Sequence, residues 1–356
     1  MTSAGEETAG VPERHARRKW PRRLGTLMLC FAALAVAAWT ALAVFYQAEG
    51  AGRVLGWGLA GLAASAVLVF ALSGRRLRAL GVLALGVVLV GLWWASIRPS
   101  NERDWAPDVA RGVTADIAGR EVTVHNVRDF DWRTEDEGAP RWETRRYALD
   151  DLASVDLFSS TWGNPAIAHT LVSFGFRDGG HLVFSAEIRR EAGEEFSEIG
   201  GFFKQFELVL IAADERDIIR LRTTMRREEV SLYPLDLPPR VREALFLSYL
   251  DLGNELAVEP RWYQTVTTNC TTVIFKLVRA IDPGLPLDWR ILLSGYLPDY
   301  LFERGLIAGG GTLDEVKARA LIGERARATD AAEGGALDGQ ADGARDFSAR
   351  IRAPAR

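Results

Sequence analysis

The chain has 356 residues, a quarter of them charged, and a net charge of −4. That length allows one or two domains, and the slightly acidic balance excludes the basic footprint that a nucleic-acid partner requires. Mean hydropathy is close to zero, but it averages two unlike halves.

Residues 1–23 precede three uncharged apolar stretches, Leu24–Tyr46, Val54–Leu72 and Ala79–Ile97. Each is long enough to cross roughly 30 Å of hydrocarbon as a helix. Arg14, Arg17, Arg18, Lys19, Arg22 and Arg23 crowd ahead of the first. Arg75, Arg76 and Arg78 lie between the second and third, whereas the Gln47–Arg53 link carries one Arg beside Glu49. The positive-inside rule puts the N-terminus in the cytoplasm, and three crossings then place everything after Arg98 outside. The length of the first stretch and the two spans behind it favour a retained anchor, residues 24–97, over a cleaved signal peptide. Trp93, Trp94 and Trp105, near the exit of the third span, are expected at the membrane interface.

Residues 98–111 contain two prolines and several charges and read as a juxtamembrane linker. Short strands are predicted near Glu121–Val127, Thr144–Ala148 and Ser154–Phe158. The clearest element is "HTLVSFGFRDGGHLVFSAEIRRE", His169–Glu191, where two alternating apolar runs flank a glycine turn, the pattern of a β-hairpin. With Asp178–Gly180 as its loop, Val172, Phe174 and Phe176 share a face with Leu182, Phe184, Ala186 and Ile188. A further strand is predicted over Lys204–Ala212, and "DIIRLR" has helical or strand character. Helices are predicted over "PRVREALFLSYLDLGNEL", from Cys270 onward, and after Thr312, whose spacing to Glu315 makes a capping box. The expected fold class is α+β, with an antiparallel sheet and packed helices over residues 112–328. Residues 329–344, rich in Ala, Gly and Asp, read as disordered, and 345–356 form a C-terminal segment. "RTTMRREEV" reads as a charge run on a solvated face.

The chain has two cysteines. Cys30 belongs to the first apolar stretch, which leaves Cys270 unpaired in an oxidising compartment, either as a small core residue or as a nucleophile. Val273, Ile274, Leu277, Val278 and Ile281 form one helical stripe after it, and Thr267, Thr268 or Asn269 can cap that helix. Cys270 then sits in the first turn, where free N–H groups and the helix dipole favour a thiolate. Of the histidines beyond the spans, His125, His169 and His181, the hairpin selects His169. On the face opposite the apolar one it is joined by Glu187, a diagonal neighbour able to hold the imidazole. The same face also reads as an ordinary solvated side of a sheet. Arg189 could receive a lipid phosphate or pair with Glu187 or Glu191. No His-Glu-x-x-His, Cys-x-x-Cys or phosphate-loop pattern is present, so no metal or cofactor is expected.

"NPAIAHTLVSFGF", "SAEIRRE", "GGFFKQFELVLIAADERDIIRLR", "WYQTVTTNCTT" and "DFSARIR" together resemble the periplasmic domain of Lnb-type bacterial lipoprotein N-acyltransferases, over roughly Ala106 to Arg352. That domain is similar to the permuted papain-like (NlpC/P60-like) thiol enzymes. The resemblance implies Cys270 as nucleophile, His169 as its base, and Glu187 or His181, twelve positions after His169, as the third member. It implies Asn269 or Gln264 as an oxyanion donor beside the Cys270 N–H, and Tyr263 as part of the substrate-binding group. Gln264, and an anchor of three spans, depart from the family pattern. The implied setting is a bacterial inner membrane with the domain in the periplasm. Phospholipid and lipoprotein are the implied substrates, and a fatty acyl group is moved between them through an acyl-cysteine. Two other readings stand beside it: a thiol amidase or peptidase acting on cell-wall peptides, and a non-catalytic envelope-binding module.

Overall fold

The protein is described by a computed structural model over residues 19–282, 284–332 and 341–354. Arg14, Arg17 and Arg18 of the basic cluster, and 333–340 of the Ala/Gly-rich stretch, lie outside these. The chain divides into two units, Met1–Arg98 and Pro99–Arg356.

The first unit holds helices α1 (Lys19–Gln47), α2 (Gly50–Leu72) and α3 (Arg76–Ser96), each long and apolar enough to cross a membrane. Their mutual contact is made by small side chains, with Ala33, Ala71 and Ala79 buried around Val67. Small residues let helix backbones approach where no hydrophobic effect drives association. Leu24, Phe31, Leu55, Leu62 and Leu77 point outward and exposed, as lipid-facing side chains do.

The second unit is built on strands β1 (Thr114–Ala118), β2 (Glu121–Arg128), β5 (Trp142–Ala148), β6 (Leu152–Thr161), β7 (Ala168–Phe176), β8 (His181–Arg189), β9 (Glu207–Ala213) and β10 (Glu229–Pro234), with β3 (Asp131–Trp132) and β4 (Gly138–Ala139) forming a separate pair. The spatial order is β1-β2-β9-β8-β7-β6-β10, and β5 also pairs with β2. All ladders are antiparallel except β2 with β9, which runs parallel through Val127 and Arg128. The helices are α4 (Glu215–Arg220), α5 (Pro239–Val258), α6 (Cys270–Ile281), α7 (Leu297–Glu303), α8 (Leu313–Ala320), α9 (Gly323–Ala332) and α10 (Ala341–Arg352).

The sheet is covered on both faces. Val172, Phe174, Leu182 and Phe184 pack against Phe246 and Tyr249 of α5 and Val273 of α6. Phe184 stacks on Tyr249 at 4.9 Å and Phe174 meets Phe246 edge-on at 5.1 Å; each such aromatic contributes roughly 1.5–3 kcal/mol by burial. Across the sheet, Leu171, Val183 and Ile211 pack against Ile218 and Ile219 of α4 and Phe347 and Ile351 of α10. The polar side of the hairpin is therefore no solvated face: Ser173 and Ser185 are fully buried there. The C-terminal segment is a structural element as well, since Arg352 of α10 reaches Asp156 Oδ2 at 2.7 Å and Glu215 Oε1 at 2.6 Å.

The hairpin register differs from expectation by two residues. Gly175 pairs with His181 and Val172 with Phe184, so the loop is Arg177–Gly179, closed by Phe176 N–H donating to Gly180 O at 2.9 Å. Gly179, at φ +84°, takes the left-handed position that this turn needs. Faces are unchanged, but the register carried to the strand ends sets Glu187 straight across from His169 instead of diagonally.

Candidate active site

Asn269 caps α6. Its Oδ1 accepts from Thr272 N–H at 2.8 Å, and Thr272 Oγ1 accepts from Asn269 N–H at 2.8 Å, a reciprocal capping box. Cys270 is thus the first helical residue, and its own N–H and that of Thr271 precede the helix's internal ladder. Its sulfur lies 3.8 Å from Thr271 Oγ1 and 3.9 Å from Ala168 O, at the start of β7. Ala168 is held in turn by Ser294, whose Oγ donates to its carbonyl at 2.6 Å and accepts from its N–H at 2.8 Å. The neighbouring Gly295 N–H donates to Ala166 O at 3.1 Å, and a Cβ on Gly295 would lie 1.9 Å from Pro165 O. Gly295→Ala is expected to push this clamp off β7 and misplace His169. Loss of Cys270 labelling, with an apparent unfolding midpoint lowered by several degrees for about 1–3 kcal/mol of overpacking, would be measured in the full chain; wild-type labelling would refute the clamp.

His169, on β7, lines the same cavity as the sulfur, near enough for the charges of the two groups to act on each other. Its Nε2 lies 2.7 Å from Ser185 Oγ and 3.1 Å from Glu187 Oε1, both on β8, which leaves Nδ1 for the sulfur. Ser185 Oγ also donates to Glu187 Oε1 at 2.7 Å. Burial, the largest effect, lowers the imidazole pKa and Arg222 lowers it further, but the Glu187 carboxylate together with the charge and hydrogen bond of Cys270 outweighs them and holds the ring up to about 9. Burial pushes the Cys270 thiol up, yet the charge and hydrogen bond of His169, helped by the Thr170 N–H and hydroxyl, bring it down to about 6. Glu187, despite burial, is held well below the usual carboxylate range by His169 and then Arg222. The favoured state is a thiolate–imidazolium pair.

Arg222 overturns the reading of "RTTMRREEV" as a solvated charge run. It sits on a π-helical turn, Leu221–Met225, that continues α4, is 5% exposed, and bonds Glu187 and Glu228 at 3.1 Å each. Arg222, Thr170, Ser185 and Ser294 are site residues that sequence reasoning missed. Ser185 alone carried a signal, through its place on the face of His169.

Cys270, His169 and Glu187 share one open cavity of about 420 Å³ with Asn269, Tyr263, Arg222 and Arg226. Burial, followed by the Cys270 charge, raises the Tyr263 phenol, so its hydroxyl stays a donor. Other expected residues are elsewhere or otherwise engaged. The Asn269 side chain is committed to the cap and to Thr265 O, 2.7 Å from its Nδ2, which removes it as an oxyanion donor. Gln264 closes a small loop through backbone bonds with Thr268, 3.0 Å each way, and is not among the residues lining the cavity. Arg189 grips the linker instead of a ligand: it donates to Val109 O, Ala110 O and Asn101 Oδ1 at 3.1, 2.7 and 2.8 Å and lies 4.5 Å over Trp105. That contact also draws Trp105 onto the domain. His125 bonds Asp116 at 2.9 Å on an exposed edge. His181 stands at the far end of the hairpin, with Asp156 and Glu215, the one trio of possible metal ligands among the described residues. The guanidinium of Arg352 already supplies the positive charge to both carboxylates there, and no ion is invoked.

Three membrane-length helices and a mixed α/β domain presenting a buried thiol beside an imidazole define a membrane-anchored protein with a cysteine-centred site. Residues 138–295 match the family model described as the Lnb N-terminal periplasmic domain, and the domain is of the Lnb type. No curated protein and no solved structure matches the chain. The matched segment contains Cys270, His169, Glu187 and Arg222.

Proposed function

We infer that the protein is a thiol acyltransferase that moves a fatty acyl group from a phospholipid to the N-terminal amine of a lipoprotein through an acyl-Cys270 intermediate. The observation that carries this reading is a helix-start thiol paired with a carboxylate-held imidazole in one open cavity. The Lnb-type domain supports a membrane-associated role in lipoprotein processing. The clustering of arginines before the first span and between the second and third supports a cytoplasmic N-terminus and a domain at the outer face of a bacterial inner membrane.

The Cys270 thiolate attacks the ester carbonyl; the C–S bond forms, the ester C–O bond breaks, and His169 gives its proton to the departing lysophospholipid oxygen. The neutral ring then takes a proton from the incoming amine as its nitrogen attacks the thioester. A C–N bond forms, the C–S bond breaks, and the ion pair is restored. Glu187, steadied by Ser185 and Arg222, keeps the ring oriented and favours its charged form. The N–H groups of Cys270 and Thr271 and the Tyr263 hydroxyl are the donors available to a tetrahedral oxyanion.

Intact mass measurement of the full chain after exposure to phospholipid vesicles tests this. An acyl adduct on Cys270, absent in His169→Ala, is expected. No adduct, with release of fragments from cell-wall peptides, would move the site to amide hydrolysis.

A further inference from the structure

The mouth of the cavity carries an apolar rim that neither core explains. Trp162 and Ile167 between β6 and β7, Phe196 on the loop after β8, and Leu292 and Leu293 on the loop after α6 all line it. Every one of them is exposed, Phe196 and Leu292 at 55% each. The rim runs on along both loops, through Ile199 on one and through Trp289 and Leu287, 73% exposed, on the other. Exposed apolar side chains normally occur singly. Here three separate segments gather theirs around one opening.

The same edge receives the chain from its membrane anchor. Trp105 bridges to Glu191, Ala192 N–H donates to Asp104 O at 2.7 Å, and Ala106 N–H donates to Arg190 O at 3.0 Å. Residues 190–192 lead directly into the loop bearing Phe196, while Asp108 and Val109 line the cavity. Ser100, whose N–H bonds Glu207 Oε1 at 3.0 Å, is four residues past the end of α3 at Ser96, about 14 Å of fully extended chain. Trp with Leu, Ile and Phe is the composition that partitions into a lipid interface. Glu195 and Glu198, on the Phe196 loop, give no attraction to anionic headgroups, so adhesion would rest on apolar burial.

We propose that this rim is a bilayer-docking surface: it dips into the membrane that anchors the chain, so that the cavity opens into lipid instead of water. The full chain carrying Cys30→Ser and Cys270→Ser, reconstituted in phosphatidylethanolamine/phosphatidylglycerol vesicles, is spin-labelled at one introduced cysteine, Phe196→Cys, Leu287→Cys or Leu292→Cys. The control is Arg177→Cys, exposed at the opposite end of β7 from His169. Rim labels are expected to collide readily with oxygen and poorly with a water-soluble nickel chelate, the control the reverse, with little change on added salt. Trp289→Asp with Leu293→Asp is expected to move the Phe196 label toward the aqueous pattern. Rim labels as open to nickel as the control would overturn the proposal. So would labels shielded from both reagents, which would mark a protein partner or a second copy. The readout needs no turnover and stands or falls apart from the chemistry at Cys270.

Discussion

His169→Ala is expected to move the pH midpoint of Cys270 alkylation upward from about 6 toward the ordinary 9.0, a shift of roughly three pH units. The sign follows from the causes. Burial raises the thiol, and the charge of His169 is the leading effect that lowers it, so removing the ring leaves burial opposed chiefly by the Thr170 hydrogen bonds. Midpoint is the sound readout, because a more basic thiolate is intrinsically more nucleophilic and partly masks the change in rate. Acyl-adduct formation in the wild type should rise as pH passes about 6, where the sulfur ionises, and fall as it passes about 9, where the imidazole loses the proton it gives the leaving group. Glu187→Gln removes the principal cause that raises His169, leaving burial and Arg222 to lower it, so the upper limb moves down. Alkylation followed by intact mass across pH measures all of this. Superimposable profiles for wild type and His169→Ala would dissolve the ion pair.

The largest effect on stability is expected at Asp217. It is fully buried and accepts from Arg128 Nε and Nη2 at 2.9 and 3.0 Å, Phe130 N–H at 2.9 Å and Trp132 Nε1 at 2.7 Å. Asp217→Ala leaves the buried guanidinium of Arg128 without its hydrogen-bonded counter-charge and two further donors unmet. Breaking a buried pair from one side costs about 3–5 kcal/mol, which for a domain of this size lowers the unfolding midpoint by roughly 10 °C. Arg128→Leu in the same chain should recover part of the loss, since an apolar pair needs no solvation. Thermal unfolding of the detergent-solubilised chain at a fixed scan rate measures both. A drop of only a degree or two would mean that water reaches Arg128.

Much of this architecture is local and so was legible. The three spans are continuous apolar runs. The hairpin's two faces follow from strict alternation, the α6 cap is set by Asn269 and Thr272, and the α8 box by Thr312 and Glu315. What escaped depends on partners distant in the chain. Arg222 lies among charges that look like surface, but its partner Glu187 is 35 positions away on a strand. The family resemblance offered His181, twelve positions after His169, as an alternative third member, yet with the turn at Arg177–Gly179 His181 falls across from Gly175, and position 187 across from 169. The tail read as an appendage because composition hides two apolar residues, Phe347 and Ile351, spaced one helical turn apart and wholly buried.

Arg352 lends the fold a temporal order. Asp156 and Glu215 are enclosed by β6 and α4 early in the sequence, but the cation that neutralises both arrives nearly 140 residues after the second of them. Until α10 docks, the face it covers stays open and water solvates both carboxylates in place of the guanidinium. A chain lacking residue 352 could cover that face only by burying Asp156 and Glu215 without this cation, even with thiol and imidazole intact.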